Sequence, residues 1–186
     1  MRKGEKKVLW GFLYALIFLA VFALSAVFKI TYNPLNEKYS VDWNDSVGTM
    51  HTDLTYGKKE ANIFDLYLPA DNSRESYGIV VYLHAGGFTS GDKNDDTKML
   101  QWLCAKGYVA VGINYTLFTE ENPTASVYSQ SVEIRDSIPR VIAEAEKLGY
   151  VIDKMAIGGG SAGHTLAMIY AYRDAAQAPV PVVLTF

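Results

Sequence analysis

Apolar and polar positions give the chain two different rhythms. From Val8 to Phe28 no charged residue interrupts a run of Leu, Phe, Ala, Val and Ile. A helix over that run, rising about 1.5 Å per residue, is about 30 Å long, the thickness of a bilayer's hydrocarbon core. Residues 1–30 are therefore expected to form a basic tip and a transmembrane anchor. Residues 31–46 are polar and turn-rich (Asn33-Pro34, Asn36, Asp42, Asn44, Asp45) and read as a linker. Residues 47–186 carry the shorter rhythms of a folded domain.

Within that domain the pattern alternates between strand and helix. Val47 to Tyr56 precedes a turn at Gly57-Lys58-Lys59, and Phe64, Leu66 and Leu68 then alternate with Asp65 and Tyr67 up to Pro69. That period of two predicts a hairpin whose second strand is half-buried, with Asp65 and Tyr67 on the solvent side. Gly78–Leu83 and Tyr108–Ile113 are continuous and rich in β-branched residues, so both are expected to be buried on two faces. Asp95–Lys106 has helical spacing and stops at Gly107. Val127, Ile134, Ile138, Val141, Ile142, Ala145 and Leu148 recur every three or four positions, predicting one long helix with a kink at Pro139. Met155–Ile157 reads as a short strand, Ser161–Tyr172 as a helix, and Val182–Phe186 as a last strand. A hairpin followed by repeated strand–helix units is an α/β arrangement: a mostly parallel sheet with helices on both faces. Ligands in such sheets bind at the carboxyl ends of the strands.

Charge sharpens this picture. Arg2, Lys3, Lys6 and Lys7 precede the apolar run against Glu5 alone, and Lys29 follows it. The positive-inside bias places the N-terminus in the cytoplasm and the domain outside. A cleaved signal peptide, which would give a secreted domain, is the alternative. The apolar part of such peptides is typically only about 7–15 residues, shorter than this run, so an uncleaved anchor is expected. Residues 1–7 hold four of the 17 basic and one of the 20 acidic residues, so the remainder is net acidic, 13 against 19. That argues against a nucleic-acid partner, which needs a basic face. Cys104 is the single cysteine. The exported domain thus has no internal disulfide, and the thiol reads as buried and inert.

The candidate chemistry lies in two Gly-rich segments at strand ends. Gly159-Gly160-Ser161-Ala162-Gly163 is a G-x-S-x-G pattern between a short strand and a helix. In that context the chain turns sharply, Ser161 projects, and the Ala162 N–H faces any developing oxyanion. A plain reading is open beside it: serine is also a favoured helix cap. His84-Ala85-Gly86-Gly87-Phe88 follows the buried strand Gly78–Leu83, and its glycine pair can present N–H groups to the same oxyanion. Asp92, Asp95 and Asp96 lack the spacing of a calcium loop and read as a solvated helix start. No metal and no cofactor is expected.

Residues 47–186 resemble the N-terminal part of an α/β-hydrolase of the esterase/lipase type, near the hormone-sensitive-lipase-like and bacterial feruloyl-esterase-like groups. The stretches that carry the resemblance are Phe64–Pro69, Val80–Lys93, Gly107–Leu117 and Gly159–Ala167. The resemblance implies an α/β-hydrolase fold with a Ser-His-Asp/Glu triad, acting on a small-molecule carboxylic ester. It implies Ser161 as nucleophile, Gly86, Gly87 and Ala162 as oxyanion donors, and support from His84, Gly159 and Gly163. Ala85 and His164 depart from the family pattern, where glycine and a small residue often stand.

In this fold the acid and the histidine follow the nucleophile along the chain. Asp174 is expected on the wrong side of the sheet, His164 in a packing role and His51 exposed. The expectation is therefore a C-terminally incomplete hydrolase domain, with little activity in the 186 residues themselves. A peptidase or amidase on the same scaffold, or an inactive fragment, is the alternative.

Overall fold

The computed structural model describes residues 3–31 and 39–186. The chain divides into two units, Met1–Lys38 and Tyr39–Phe186, each taken by itself. The first holds α1 (Lys3–Thr31). Its span Leu9–Lys29 has a mean hydropathy of 2.4 and is long and apolar enough to cross a membrane, by length and composition. Most of the expected linker, residues 32–38, lies outside the described residues.

The second unit is built on six strands: β1 (Gly48–Thr55), β2 (Ile63–Pro69), β3 (Tyr77–Leu83), β4 (Val109–Ile113), β5 (Ile152–Gly159) and β6 (Val182–Thr185). They lie in the order β1-β2-β4-β3-β5-β6. The β1–β2 and β2–β4 pairs are antiparallel, whereas β3 runs parallel to both β4 and β5, and β5 to β6. This is the expected hairpin joined to a parallel sheet. The uninterrupted apolar strands occupy its middle, since only there are both faces covered.

Helices α2 (Thr97–Ala105), α3 (Val127–Lys147) and α4 (Ala162–Ile169) supply the outer layers. Ile134, Ile138, Val141, Ile142 and Ala145 of α3, with Leu166 and Ala167 of α4, pack on the strand face bearing Leu66, Ile79, Val81, Val111 and Ile157. Leu100 and Cys104 of α2 pack on Tyr67 and Ala110 from the other face, joined by Trp43. Neighbouring strand residues such as Leu66 and Tyr67 serve opposite layers, as the pleat requires.

That second layer corrects the expectation for β2. Asp65 and Tyr67 do not face solvent; they are 1% and 0% exposed. The alternation of side chains is real, but α2 and the turn before it close the face that a polar residue seemed to leave open. Two helix boundaries also differ. Residues 93–96 form a 3-10 turn before α2, with Asp92 accepting from the Asn94 N–H in a capping box. Beyond Ile169, α4 loosens into a π turn over Tyr170–Asp174 and a 3-10 turn over Ala175–Gln177. Pro139 does not divide α3, which runs from its Ser126 cap to Lys147. Proline deprives the Arg135 carbonyl of its donor, but both residues are exposed and water can serve that carbonyl. At one margin of the sheet, Val183 and Leu184 of β6 are exposed.

Candidate active site

The site begins where β5 turns into α4. Ser161 holds φ +48° and ψ −109°, a conformation that costs a side-chain-bearing residue about 1–3 kcal/mol and persists only where its surroundings enforce it. The enforcement is visible. The Gly160 N–H donates to the Leu83 carbonyl at 3.1 Å, the Gly163 N–H to the Gly160 carbonyl at 2.8 Å, and the Thr165 N–H to the Ser161 carbonyl at 3.2 Å. Ser161 is exposed, and its side chain makes no capping bond to α4. The plain reading of Ser161 as a helix cap therefore has no bond behind it.

Gly163 is required by close approach. A methyl group there would collide with the Leu83 carbonyl oxygen and lie 2.6 Å from that of His84. Both obstacles are backbone, so neither can swing aside. Gly163→Ala is expected to lower stability by about 1–3 kcal/mol as an overpacked site. The check is a lower urea midpoint at unchanged slope; an unchanged midpoint would show that α4 does not press on the end of β3 this closely.

The loop after β3 forms the opposite wall. Gly86, Gly87 and Phe88 all have positive φ, at 128°, 62° and 69°. The Gly86 carbonyl collects the Thr89 N–H at 3.1 Å, the Ser90 N–H at 3.0 Å and the Ser90 hydroxyl at 3.0 Å. This turns the carbonyl into the loop. Among the described residues, the N–H groups of Gly86, Gly87 and Ala162 have no acceptor. The loop and the serine turn are neighbours: a methyl on Gly160 would lie 3.1 Å from the Ala85 Cβ. The extra methyl of Ala85, a departure from the family pattern, thus rests beside the residue preceding Ser161.

His84 is fixed as a strut. It is 1% exposed and stacks on the Tyr115 ring, 4.4 Å between centroids with planes 6° apart. The Tyr115 hydroxyl donates to the His84 carbonyl at 3.0 Å. His84 Nδ1 lies 2.6 Å from the Ala85 carbonyl, an acceptor, so the tautomer consistent with this contact carries its proton on Nδ1. Burial pulls its pKa below the ordinary value, and the ring is neutral at pH 7.

The other candidates do not join Ser161. His164 is exposed on α4 and His51 half-buried in β1, and neither is hydrogen-bonded to the serine. Asp174 is buried and held by both Arg173 Nε (2.9 Å) and Nη2 (2.6 Å), while Arg173 Nη1 also donates to the Ser131 hydroxyl at 2.9 Å. Cys104 is 1% exposed, with its thiol pushed up to about 12 by burial. Among the described residues, no group of three or more His, Cys, Asp or Glu is placed to hold a metal.

Several supporting residues escaped the sequence reading. Lys93 Nζ is buried between Asp65 (3.0 Å) and Asp53 (2.9 Å). The Lys93 backbone N–H donates to Asn114 Oδ1 at 2.7 Å, and Asn114 Nδ2 donates to Asp92 Oδ2 at 2.7 Å. Glu133 of α3 accepts the Thr116 N–H (2.7 Å) and hydroxyl (2.9 Å) and pairs with Lys59 at 2.6 Å. The signal for the first was a lone Asp inside an apolar strand, answered by Lys93 at the end of a stretch already singled out.

The sequence profile of the BD-FAE family matches residues 64–179, which span both Gly-rich segments. The chain belongs to the BD-FAE family. Among individual proteins, it is 30% identical over 107 residues to esterase LipI of Mycobacterium tuberculosis, covering 56% of this chain and 32% of that one. In architecture it is similar to an SN3-inhibited esterase B from Lactobacillus Rhamnosis (TM-score 0.64, 20% identity, 90% of this chain and 55% of that). It is likewise similar to a bacterial heroin esterase (TM-score 0.63, 20% identity, 84% and 49%). At such identity these likenesses establish the fold, that of the α/β-hydrolases, with its helices on both faces of a mixed sheet. The chain spans about half the length of these structures and about a third of LipI.

Proposed function

We propose that this family member is a serine carboxylesterase in which Ser161 is the nucleophile and the N–H groups of Gly86, Gly87 and Ala162 form the oxyanion hole. The observation that carries the reading is the enforced positive φ of an exposed Ser161, beside a loop whose Gly86 and Gly87 amides lack acceptors. Such a turn lifts the hydroxyl clear of the sheet, and donors already fixed in place need no reorganisation when charge develops on the substrate oxygen. The hydroxyl oxygen attacks the ester carbonyl, the alcohol leaves, and water releases the acid from the acyl-enzyme. The relatives that match over this region carry the name esterase, which supports the ester over the amide class. The assignment to this chain is the nucleophile and the hole. His84 is a buried strut, and neither His51 nor His164 is hydrogen-bonded to Ser161.

The apolar span Leu9–Lys29 is proposed to anchor the protein in a membrane, with Arg2, Lys3, Lys6 and Lys7 on the cytoplasmic side and the hydrolase domain outside. The test of the catalytic reading is a fluorophosphonate probe applied to the protein expressed from its complete reading frame, with matched ester and amide substrates run beside it. One probe per chain and hydrolysis of the esters in preference to the amides are expected. A folded protein that takes up no probe overturns the reading, and preference for amides overturns its substrate class.

A further inference from the structure

We infer that Gln130 is a positioning residue that holds the oxyanion loop in its working shape; the inference rests on the esterase reading above. Gln130 lies in the first turn of α3 and is 0% exposed. Its Nε2 donates to two backbone carbonyls, that of Phe88 at 3.0 Å and that of Thr116 at 2.9 Å. Phe88 is the residue after Gly87 and, with φ +69°, is the one side-chain-bearing member of the loop's positive-φ run. Its carbonyl also receives the Phe118 N–H at 3.0 Å. Two donors, from the segment beyond β4 and from α3, therefore grip the loop at the Phe88–Thr89 peptide, two peptide units past the one that carries the Gly87 N–H.

The chemistry of the amide explains why glutamine stands there. Both contacts are to carbonyl oxygens, so the NH2 end must face them; turning the amide over would set its oxygen against two others. Its Oε1 then has no partner. An unpaired buried acceptor is destabilising; an apolar residue of the same shape would remove that oxygen but take the donor from the Thr116 carbonyl, while the Phe88 carbonyl would keep the Phe118 N–H. What the amide adds beyond pairing the Thr116 carbonyl is a second, fixed donor on the Phe88 carbonyl, which sets the orientation of that peptide. Gln130 reaches no substrate. It acts through the orientation of the Phe88–Thr89 peptide, and thereby on the Gly86 and Gly87 amides.

The test uses the protein from its complete reading frame. Gln130→Met keeps the length and removes both donors. It is expected to lower kcat and the rate of Ser161 phosphonylation together, by about tenfold, with KM within about twofold, since the hole acts on the transition state. Gln130→Glu retains one donor only while protonated, so its phosphonylation rate relative to wild type is expected to fall as pH rises through the pKa of the new carboxyl, a trend absent from Gln130→Met. Ile138→Val on the same helix serves as a control for stability loss alone and should label at the wild-type rate. If wild type labels and Gln130→Met labels equally fast, the inference fails while the esterase reading stands. If wild type does not label, both fall. If neither Gln130 variant folds, the residue is a core element of the fold and the inference is overturned.

Discussion

Ser161→Ala, in the protein expressed from its complete reading frame, is expected to lower kcat for ester hydrolysis by about 10⁴- to 10⁶-fold with the fold intact. The size follows from what the hydroxyl does. Without it no acyl-enzyme forms, and only substrate binding and the oxyanion donors remain, which retain part of the acceleration over water. The fold should tolerate the change, because the Ser161 side chain is exposed and makes no capping bond. Alanine bears the same positive φ that serine does, so the turn's strain is unchanged. The measurement is turnover of an activated ester beside a urea melt. A loss below about tenfold in a folded variant would place the nucleophile elsewhere.

Lys93→Met is expected to cost about 3–5 kcal/mol, because it strands the buried Asp65 carboxylate without its cation. Lys93 and Asp65 have side chains 3% and 1% exposed, whereas Asp53 is 66% exposed and water screens its share of the pairing. Burial by itself pulls the Lys93 ammonium down, but hydrogen bonds and charge from Asp53 and Asp65 outweigh it and hold the pKa above the usual value. The pH dependence follows in sign. A pKa raised in the folded state contributes stability that is complete below the unfolded value of about 10.4 and is lost as pH rises through the folded value. Wild type should therefore approach the variant in stability only in strong alkali. Adding Asp65→Leu to Lys93→Met removes the stranded charge and should recover much of the loss. Equal urea midpoints for wild type and Lys93→Met at pH 7 would show that the triad is not a structural clamp. Its position ties β1 and β2 to the base of the loop that carries Gly86 and Gly87.

The sequence disclosed what depends on local rhythm. Strands β3 and β4 are apolar on both faces and announce themselves, as does α3 through its three-and-four spacing. The Gly-x-Ser-x-Gly turn was legible because a short strand precedes it and a helix follows. The choice between cap and nucleophile was not legible, since both want serine at that position; the structure shows no capping bond, and the nucleophile is the role we propose. Asp65 was misread for a physical reason. Alternation of Phe64, Asp65, Leu66 and Tyr67 gives the period of the strand but not what covers its second face, and the compensating Lys93 is 28 residues away. Gln130 sits on the buried stripe of α3, four positions before Ile134, and its polarity was a signal. What it holds, the carbonyls of Phe88 and Thr116, is set by tertiary contact alone.

The central claim is that Ser161, the Gly86–Gly87 loop and Ala162 form one oxyanion-stabilising site. A crystal structure of the fluorophosphonate-treated protein tests it most directly. The account predicts phosphorus bonded to Ser161 Oγ, with the phosphonyl oxygen about 2.7–3.1 Å from the N–H nitrogens of Ala162 and of Gly86 or Gly87. An adduct on another residue, or a phosphonyl oxygen turned away from these amides into solvent, would contradict it.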